Sequence, residues 1–490
     1  MRAQGRGRGR FALRMVGFGL AGVSIATAVL AVIAWAWKEP WSGFAWASGL
    51  AALVAGPSLA FGRTAGEPSR REALLAVLAL WWLIPLVGSV PFVVNASMPF
   101  LDAWFEAMSG FTATGATAIA DFGAVSSTLF LWRALSQWVG GVGIIVVFVA
   151  VFPQLAIAGR QLFVAEMPGP SEEQVAPRLR RTAGTLLVVY LGMSVAAVVS
   201  YAVAGMGWFD AVAHAMTTVS AAGFSPEARS FEAFGAAVQW VAIVFMTLAG
   251  ANFVLQFQLL SGRPRQMFRN EEFRVYLTVF LVAGLTLTLL LQGTYGAEAL
   301  RHGLFQAISI LTTTGYATVD FGAWGVSAQT VLVLLMFIGG SAGSAAGGMK
   351  VVRLMIVAKM AWLEVRRVLH PRAVLPVRVS GRPVPEDVVR AVAAFVTVYA
   401  LLFAALVISL ALLGVEFTTA FTASIATLGN VGPGLGAVGP MGSFAVLPDV
   451  AKVLLTFAMF AGRLEVMAVF VLLSPDVWRV PRGWRRETRS

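Results

Sequence analysis

One stretch of the chain, residues 304–350, constrains the fold more than any other. It begins as an apolar helix too short to cross a bilayer, breaks at Thr312-Thr313-Thr314-Gly315, and then continues as a long apolar run. This order indicates a re-entrant pore loop, because irregular backbone at membrane depth is tolerated only where protein buries it or water reaches it. The carbonyl groups of the break are therefore predicted to face an aqueous path, where they can replace the hydration shell of a cation.

The composition places the chain in a membrane. Hydrophobic residues make up 58% of the 490 residues and charged residues 12%, against roughly 25% charged residues in soluble proteins. The net charge of +12 comes from short basic clusters between apolar runs, which argues against a nucleic-acid partner. The chain has no cysteine and only three scattered histidines. Disulfides and Cys-based metal sites are therefore excluded, and neither an enzymatic reaction nor a bound cofactor is predicted.

A hairpin of one kind recurs four times after two leading spans at residues 15–37 and 44–61. Each copy is a long span, a short apolar helix that ends at a glycine-containing break, and a second long span. The fold class predicted from this pattern is an all-α polytopic membrane protein with four pseudo-symmetric helix–pore loop–helix units around a central pore. The predicted domains are the leading helices with a basic arm (1–71), unit 1 (72–181), unit 2 (182–274), unit 3 with a loop at 338–350 and a basic link (275–386), unit 4 (387–478) and a basic tail (479–490).

The second spans of the four units are predicted as long apolar spans over residues 128–152, 237–260, 328–350 and 450–473. Most of the 36 Lys and Arg residues fall in the N-terminal arm, the links between units and the C-terminal tail. Because Lys and Arg mark cytoplasmic loops, both termini are predicted to be cytoplasmic. The same asymmetry places all four breaks near the opposite face of the membrane.

Four glycines, one in each break, align the copies with one another. Glycine is needed where the backbone turns a carbonyl toward a central ion and a Cβ would collide with a neighbouring segment. Asp-Phe-Gly-Ala follows the first and third glycines at nearly the same distance, which indicates duplication. The predicted filter residues are Thr112, Ala113, Thr114 and Gly115; Ser220, Ala221, Ala222 and Gly223; Thr312, Thr313, Thr314 and Gly315; and Gly429, Asn430, Val431 and Gly432.

Several motifs in a fixed order support a resemblance to a known family. They are FEAMSGFTATGAT (105–117), LWRALSQWVGGVGIIVV (131–147), EMPGP to PR (166–178), DAVAHAMTTVSAAGFS (210–225), FQAISILTTTGY (305–316), FIGGSAGSAAGGMKVVRL (337–354), LGNVGPGLG (428–436) and AGRLEV (461–466). With these motifs the chain resembles the Trk/Ktr/HKT superfamily of potassium transporters, and most closely the bacterial Trk membrane subunit. The resemblance covers roughly residues 72–473. It implies potassium uptake across the bacterial cytoplasmic membrane, with K⁺ as the transported ion.

The chain departs from the family pattern at two of its breaks. Ser220-Ala221-Ala222 stands where Thr-Gly-Gly is more usual, and Ala113 where a threonine is expected. Because backbone carbonyls supply the ion contacts in such a filter, these changes bear on fine selectivity more than on the class of ion. In sodium-permeable relatives a serine commonly replaces the first filter glycine. The intact Gly115 therefore favours potassium.

Residues 338–350, IGGSAGSAAGGMK, form a second candidate site. They do not match a phosphate-binding loop, because Met349 separates Lys350 from Gly348. The segment is either a close-packed face of small residues on a helix or an unwound segment below the filter, and the resemblance implies the second, an intramembrane gate. The predicted gate residues are Gly339, Gly340, Gly343, Gly347, Gly348, Lys350 and Arg463.

Arg463 lies within the last predicted span, where a charged side chain costs about 2.5–3.5 kcal/mol. Its partner is either an unidentified carboxylate or, as we expect, the carbonyl groups of residues 338–350. A cation at this position would raise the barrier to cation flow. Arg463 is therefore predicted to be part of the gate.

The partners are predicted from the basic link at 350–390 and from the resemblance. The link acts as a positive-inside loop and also suits docking of a cytosolic protein. The resemblance implies a nucleotide-binding RCK-type regulatory subunit, so that nucleotide acts only through this partner, and a homodimer surrounded by membrane lipid.

Two other transport mechanisms remain open at this stage. The chain could couple potassium to protons or sodium, with Glu106 and His214 as proton carriers, or it could be an organic-solute transporter built from broken helices. The solute carrier is disfavoured because all four units have the same orientation. Asp121 and Asp320 either concentrate cations at the filter mouth or cap short helices.

Overall fold

The computed structural model describes residues 10–62, 70–150, 175–370, 375–464 and 466. The N-terminal arm before Arg10, the link at 151–174 and the tail after 466 lie outside these ranges, so the predictions made for them stay predictions. The described chain is α-helical apart from short 3₁₀ turns and a two-stranded antiparallel hairpin. In this hairpin Arg378–Val379 (β1) pairs with Arg382–Pro383 (β2), and Arg378 lies opposite Pro383.

The two leading helices, Arg10–Ala36 and Ser42–Gly62, confirm the two spans predicted before the units. The turn between them contacts unit 1 through Glu39, whose carboxylate accepts hydrogen bonds from the Ser127 and Thr128 amides at 3.1 and 2.8 Å. Burial alone would raise the pKa of Glu39, but the hydrogen bonds from Thr128 and Ser127 outweigh it and leave the pKa below its ordinary value. Glu39 therefore caps the second span of unit 1 and fixes the leading hairpin to it.

The four hairpins follow in chain order. Each contains a short helix, here called a pore helix, between an opening and a closing span. The pore helices are Phe100–Phe111, Trp208–Val219, Ala299–Leu311 and Phe417–Leu428. The opening spans are Arg70–Gly88 with Val90–Asn95, Val175–Val203, Glu271–Tyr295 and Glu386–Leu412. The closing spans are Ser127–Ala150, Ala236–Ala249 with Phe253–Leu260, Val326–Ile338 and Asp449–Arg463.

The closing spans of units 2 and 3 both differ from a single straight helix, and in unit 3 the unwound alternative given for residues 338–350 is the one observed. In unit 2 the chain bends by 107° between Ala236–Ala249 and Phe253–Leu260, and the Asn252 side chain caps the second helix by accepting from the Val254 amide. In unit 3 the helix ends at Ile338, and residues 339–350 are irregular before a new helix, Val351–Leu369, begins. Gly339, in the left-handed region with φ of 82°, ends the first helix.

Length and composition identify six membrane-spanning helices in the described residues, or seven if the bent pair in unit 2 is one span. Large apolar side chains are exposed on their outer faces, among them Val203 at 83%, Leu289 at 78% and Leu412 at 82%. In water such surfaces would be unfavourable, whereas hydrocarbon solvates them. The exposed apolar surface therefore confirms the expected class, an α-helical membrane protein.

The centre of the molecule is formed by the pore helices. Nearly every residue in the last two turns of each is buried, including the polar side chains of Glu106, His214 and Gln306. Below the pore helices, the basic link at the end of unit 3 also packs into a defined structure, because Val352, Ile356 and Val377 share a small apolar cluster with the start of Glu386–Leu412. The buried pore helices place their C-terminal ends, and the breaks that follow, at the core of the protein.

Candidate functional site

Each pore helix ends in the same hydrogen-bonded turn. In unit 1 the Ala113 amide donates to the Gly110 carbonyl at 2.9 Å and the Thr114 amide to the Ser109 carbonyl at 2.9 Å. This pair of bonds is the Schellman arrangement that satisfies the last carbonyls of a helix. Units 2, 3 and 4 repeat it, and the bond that spans five residues runs from Ala222 to Thr217, from Thr314 to Ser309 and from Val431 to Ala426, at 2.9, 2.9 and 2.7 Å.

A left-handed residue occupies the second position of every break. Its φ is 51° at Ala113, 52° at Ala221, 58° at Thr313 and 52° at Asn430. This region is uncommon for residues other than glycine, and such strain concentrates at functional sites. The four glycines are visible in the sequence, whereas this second feature is not, because alanine and threonine give no signal for positive φ. Only asparagine, at position 430, is enriched in this conformation.

The four filter glycines also have positive φ, between 78° and 102°, and they close a ring. A Cβ on Gly115 would lie 2.2 Å from the Ala222 carbonyl oxygen, and one on Gly223 would lie 1.8 Å from that of Thr314. The contacts continue from Gly315 to the Val431 oxygen at 2.2 Å and from Gly432 back to the Thr114 oxygen at 2.8 Å. The breaks therefore encircle one axis in the order of units 1, 2, 3 and 4, and only glycine fits at each contact between neighbours.

A cavity lies on one side of this ring, and residues from all four units line it, among them Gly115, Gly223, Gly315 and Pro433. The glycines of units 1, 2 and 3 are partly exposed, whereas the three residues before each of them are buried. The cavity therefore gives access to the glycine level of the ring. We call it the outer cavity, because the chain enters it after each break.

The residues nine positions before each glycine support the segment that leaves the ring. Glu106 accepts from the Ala118 amide at 2.7 Å, His214 hydrogen-bonds the Ser225 hydroxyl at 2.9 Å, and Gln306 donates to the Tyr316 carbonyl at 2.9 Å. Unit 4 has Ala423 at this position, and the preceding residue, Thr422, accepts from the Leu435 amide at 2.8 Å instead. These contacts give Glu106 and His214 a structural role in holding the ring. Proton transfer by either residue stays a prediction.

Arg133, on the closing span of unit 1, joins unit 1 to unit 2 beside the outer cavity. Its Nε donates to Glu106 at 2.7 Å and its Nη1 to the Ser225 carbonyl at 3.0 Å, while its guanidinium lies 4.0 Å from the centre of the Phe224 ring. A buried cation is tolerated when a carboxylate and further hydrogen bonds satisfy it. Arg133 thus links the two units without presenting a free charge.

Asp121 and Asp320 cap short helices, one of the two roles considered for them. Asp121 accepts from the Gly123 amide at 2.8 Å and Asp320 from the Gly322 amide at 2.9 Å, each at the start of a 3₁₀ turn. The repeated Asp-Phe-Gly-Ala motif is therefore a repeated capping structure. A role in concentrating cations stays a prediction.

The irregular segment 339–350, here called the inner loop, contacts the ring on the side opposite the outer cavity. The Gly347 amide donates to the Thr313 hydroxyl at 2.6 Å, and the Gly348 amide donates to the Gly429 carbonyl at 2.9 Å. These partners precede the filter glycines, whereas the residues after the glycines line the outer cavity. The inner loop therefore lies directly beneath the ring and contains all the predicted gate residues except Arg463.

Two further parts of the molecule hold the inner loop, and it also has a contact of its own. The bend of unit 2 contributes three bonds, from the Ser341 amide to the Gly250 carbonyl at 2.9 Å, from the Ala345 amide to the Ala249 carbonyl at 3.3 Å and from the Phe253 amide to the Gly343 carbonyl at 3.0 Å. Glu272 accepts from the Ala342 amide at 2.6 Å. Within the loop, Lys350 Nζ donates to the Ala346 carbonyl, and both Gly348 and Lys350 have positive φ.

Arg463 makes the contact expected of it. It is 4% exposed, and its Nη1 donates to the Ala345 carbonyl of the inner loop at 2.9 Å. Among the described residues, its Nε and Nη2 have no hydrogen-bond partner. The guanidinium is thus buried beside the inner loop with only part of its hydrogen-bonding capacity used. Its role in gating stays a prediction.

Four re-entrant hairpins around one axis, within a bundle of apolar spans, define a polytopic α-helical membrane protein of the pore-loop class. Residues 46–479 match the family model TrkH, described as a cation transport protein. The chain therefore belongs to the TrkH family.

Relatives and a solved structure agree with this assignment. The Trk system potassium uptake protein TrkH of Salmonella typhimurium is 37% identical over 426 residues, which cover 85% of this chain and 88% of that protein. TrkI of Halomonas elongata is 38% identical over 405 residues, covering 81% and 82% of the two chains. The crystal structure of the potassium transporter TrkH from Vibrio parahaemolyticus superposes with a TM-score of 0.86 at 33% identity, covering 96% of this chain and 100% of that one.

Proposed function

We propose that this chain takes up potassium across the bacterial cytoplasmic membrane through the ring of four breaks. The observation that carries the proposal is the close approach of each filter glycine to a carbonyl group of the next unit, which joins the four breaks into a closed ring. A ring of backbone carbonyls replaces the hydration shell of a cation. The C-terminal ends of four pore helices, which carry partial negative charge, point toward the same axis and favour a cation there.

The inner loop is the proposed gate of this pathway. It lies under the ring and contacts units 2, 3 and 4, so an ion leaving the ring meets it first. The proposed regulatory partner is a cytosolic RCK-type nucleotide-binding subunit that docks on the basic link at residues 350–390. The relatives are named as Trk system proteins, which supports a chain that works with other Trk components. The proposed assembly is a homodimer with both termini in the cytoplasm.

Reconstitution into liposomes tests the proposal. With opposed K⁺ and Na⁺ gradients, the reversal potential should lie near that of K⁺, and imposing a pH gradient should leave it unchanged. A reversal potential near that of Na⁺, or no cation current at all from folded protein, would contradict the proposal. A potential that moves with the pH gradient would instead show coupling of potassium to protons.

A further inference from the structure

Gln137 connects the closing span of unit 1 to the break of unit 2. Its side chain is completely buried. Its Nε2 donates to the Ala222 carbonyl at 2.8 Å, and its Oε1 accepts from the Phe224 amide at 3.0 Å. These two bonds lie on either side of Gly223. Because one bond needs a donor and the other an acceptor, only one orientation of the amide satisfies both.

The break of unit 2 has fewer side-chain bonds of its own than the other three. Its second and third positions are alanines, and the hydroxyl of Ser220 bonds backward to the Met216 carbonyl of its own pore helix at 2.8 Å. In units 1 and 3, hydroxyl pairs at the first and third positions lie 2.7 and 2.8 Å apart, and in unit 4 the Asn430 amide donates to Thr114 at 2.9 Å. Gln137, which belongs to the neighbouring unit 1, therefore supplies side-chain hydrogen bonds that the alanines of unit 2 cannot make.

The contact is specific to this place in the ring. Glycines on the closing spans of units 1 and 2 pack against the first filter residue of the next unit: a Cβ on Gly141 would lie 2.9 Å from Ser220, and one on Gly250 would lie 2.4 Å from Thr312. Four residues before these glycines stand Gln137 and Met246. A methionine has no N–H to donate, so the corresponding position of unit 2 cannot form this bond to unit 3.

Unit 4 shows the same difference. Cβ atoms on Gly140 and Gly462 would lie 2.1 and 2.0 Å from the carbonyl oxygens at the ends of their own pore helices, so these glycines correspond. Three residues before them stand Gln137 and Met459. The glutamine is thus replaced by methionine in both units that adjoin unit 1 in the ring.

We propose that Gln137 is a specificity-determining residue that positions the Ala222 carbonyl in the ring. The donated N–H fixes the direction of this carbonyl and occupies one of its lone pairs, so that unit 2 presents a weaker and less mobile ligand than the other units. When one carbonyl group of the ring is fixed in this way, the diameter of the ring changes less as ions of different size pass. The inference rests on the proposed transport of cations through the ring, and it adds that the unit 2 corner contributes to selection between them.

The test is Gln137→Met, which introduces the residue found at the corresponding positions of units 2 and 4 at similar volume. The K⁺/Na⁺ permeability ratio is measured from reversal potentials in liposomes. It should fall by about threefold to tenfold, the change that corresponds to loss of one net hydrogen bond. Met246→Leu is the matched control, because it changes a buried side chain at the corresponding position without removing a donor, and its ratio should equal that of the unmodified chain.

The outcomes are distinguishable. An unmodified chain with no preference for K⁺ contradicts the proposed function itself. An unmodified chain that prefers K⁺, together with an unchanged ratio in a monodisperse Gln137→Met protein, overturns the role of Gln137 alone. If the methionine variant does not reach the membrane, Gln137→Leu removes the same donor and is measured in the same way. An equal loss of K⁺ and Na⁺ flux with a constant ratio would show a structural role and would also overturn the inference.

Discussion

The ring and the inner loop lie against each other and are built on different principles. Four segments of different sequence form the ring, yet each ends its pore helix with the same turn and has positive φ at its second and fourth positions. The inner loop has a single copy, supplied by unit 3, and the other units contribute only its contacts. The ring is therefore stabilised by one turn that recurs in four units, whereas the inner loop is stabilised by individual hydrogen bonds that occur once each.

This difference predicts different responses to mutation. In the ring, the backbone of each break contacts the backbone of the next unit closely, so neither can shift alone. A local change should therefore reduce transport or ion selectivity. If the inner loop is the proposed gate, loss of one of its hydrogen bonds should shift the equilibrium between its blocking and open positions by no more than the free energy of that bond. Substitutions in the two regions can therefore separate their roles.

The largest effect is expected from Gly223→Ala. The new Cβ would lie 1.8 Å from the Thr314 carbonyl oxygen, at a residue whose φ is 78°, and the strained backbone alone costs about 1–3 kcal/mol. Potassium uptake, measured as rubidium entry into liposomes, should fall about a hundredfold or more. In the control Gly192→Ala the Cβ meets nothing within 4 Å. Uptake close to normal in Gly223→Ala would contradict the view that close backbone contacts between neighbouring units allow only glycine at this position.

Arg463→Ala should act in the opposite direction and raise potassium flux. The variant removes the bond to the Ala345 carbonyl, and a hydrogen bond from a charged group contributes about 1.5–3 kcal/mol. We expect about a tenfold rise in single-protein current, with Arg463→Lys, which keeps the charge, giving a smaller rise. An unchanged or reduced current in folded protein would contradict a gating role for this residue.

Gly115→Ser tests the K⁺/Na⁺ selectivity of the ring rather than its total ion flux. A Cβ at this position would lie 2.2 Å from the Ala222 oxygen, a less severe contact than the one at Gly223, so residual transport through a distorted corner is expected. The K⁺/Na⁺ ratio from reversal potentials should fall about tenfold, or by about 1.4 kcal/mol. Gly143→Ser, where the space around a Cβ is open, is the control. A preserved ratio would remove Gly115 from the selective part of the ring.

The smallest effect is expected from Thr313→Val, which connects the two regions. It removes the hydroxyl that accepts from the Gly347 amide at 2.6 Å, while the bond between Gly348 and Gly429 remains. Flux should rise about threefold, within the range expected for one net hydrogen bond. Thr330→Val is the control, since that hydroxyl is exposed and bonds only to the Val326 carbonyl of its own helix. A larger rise than in Arg463→Ala would show that the loop depends mainly on the ring.

The sequence was sufficient to predict the helical membrane fold and the position of each break. Short apolar helices followed by Thr- and Gly-rich turns have few alternatives in a bilayer. The bend of unit 2 falls at Gly250-Ala251-Asn252, inside an apolar run whose composition suggests one straight span, although glycine and asparagine favour a break in a helix. The glycines after Ile338 favour an unwound segment in the same way, and this is the alternative that the structure shows.

Other parts of the site could not be predicted from the sequence. Ala113 and Ala221 adopt positive φ in the turn that ends their pore helices, and alanine has no sequence preference that indicates this conformation. Gln137 lies 85 residues before the Ala222 carbonyl that it contacts, so its function depends on a packing of two spans that no local pattern encodes. Long-range contacts of this kind become visible only when the ring is assembled.

One polypeptide supplies all four breaks of the ring, so a substitution in one break changes one quarter of the proposed pathway. In a pore made from four identical chains, the same substitution would be imposed on every side at once. If the ring selects ions as proposed, a single substitution here changes one quadrant while the other three keep their contacts.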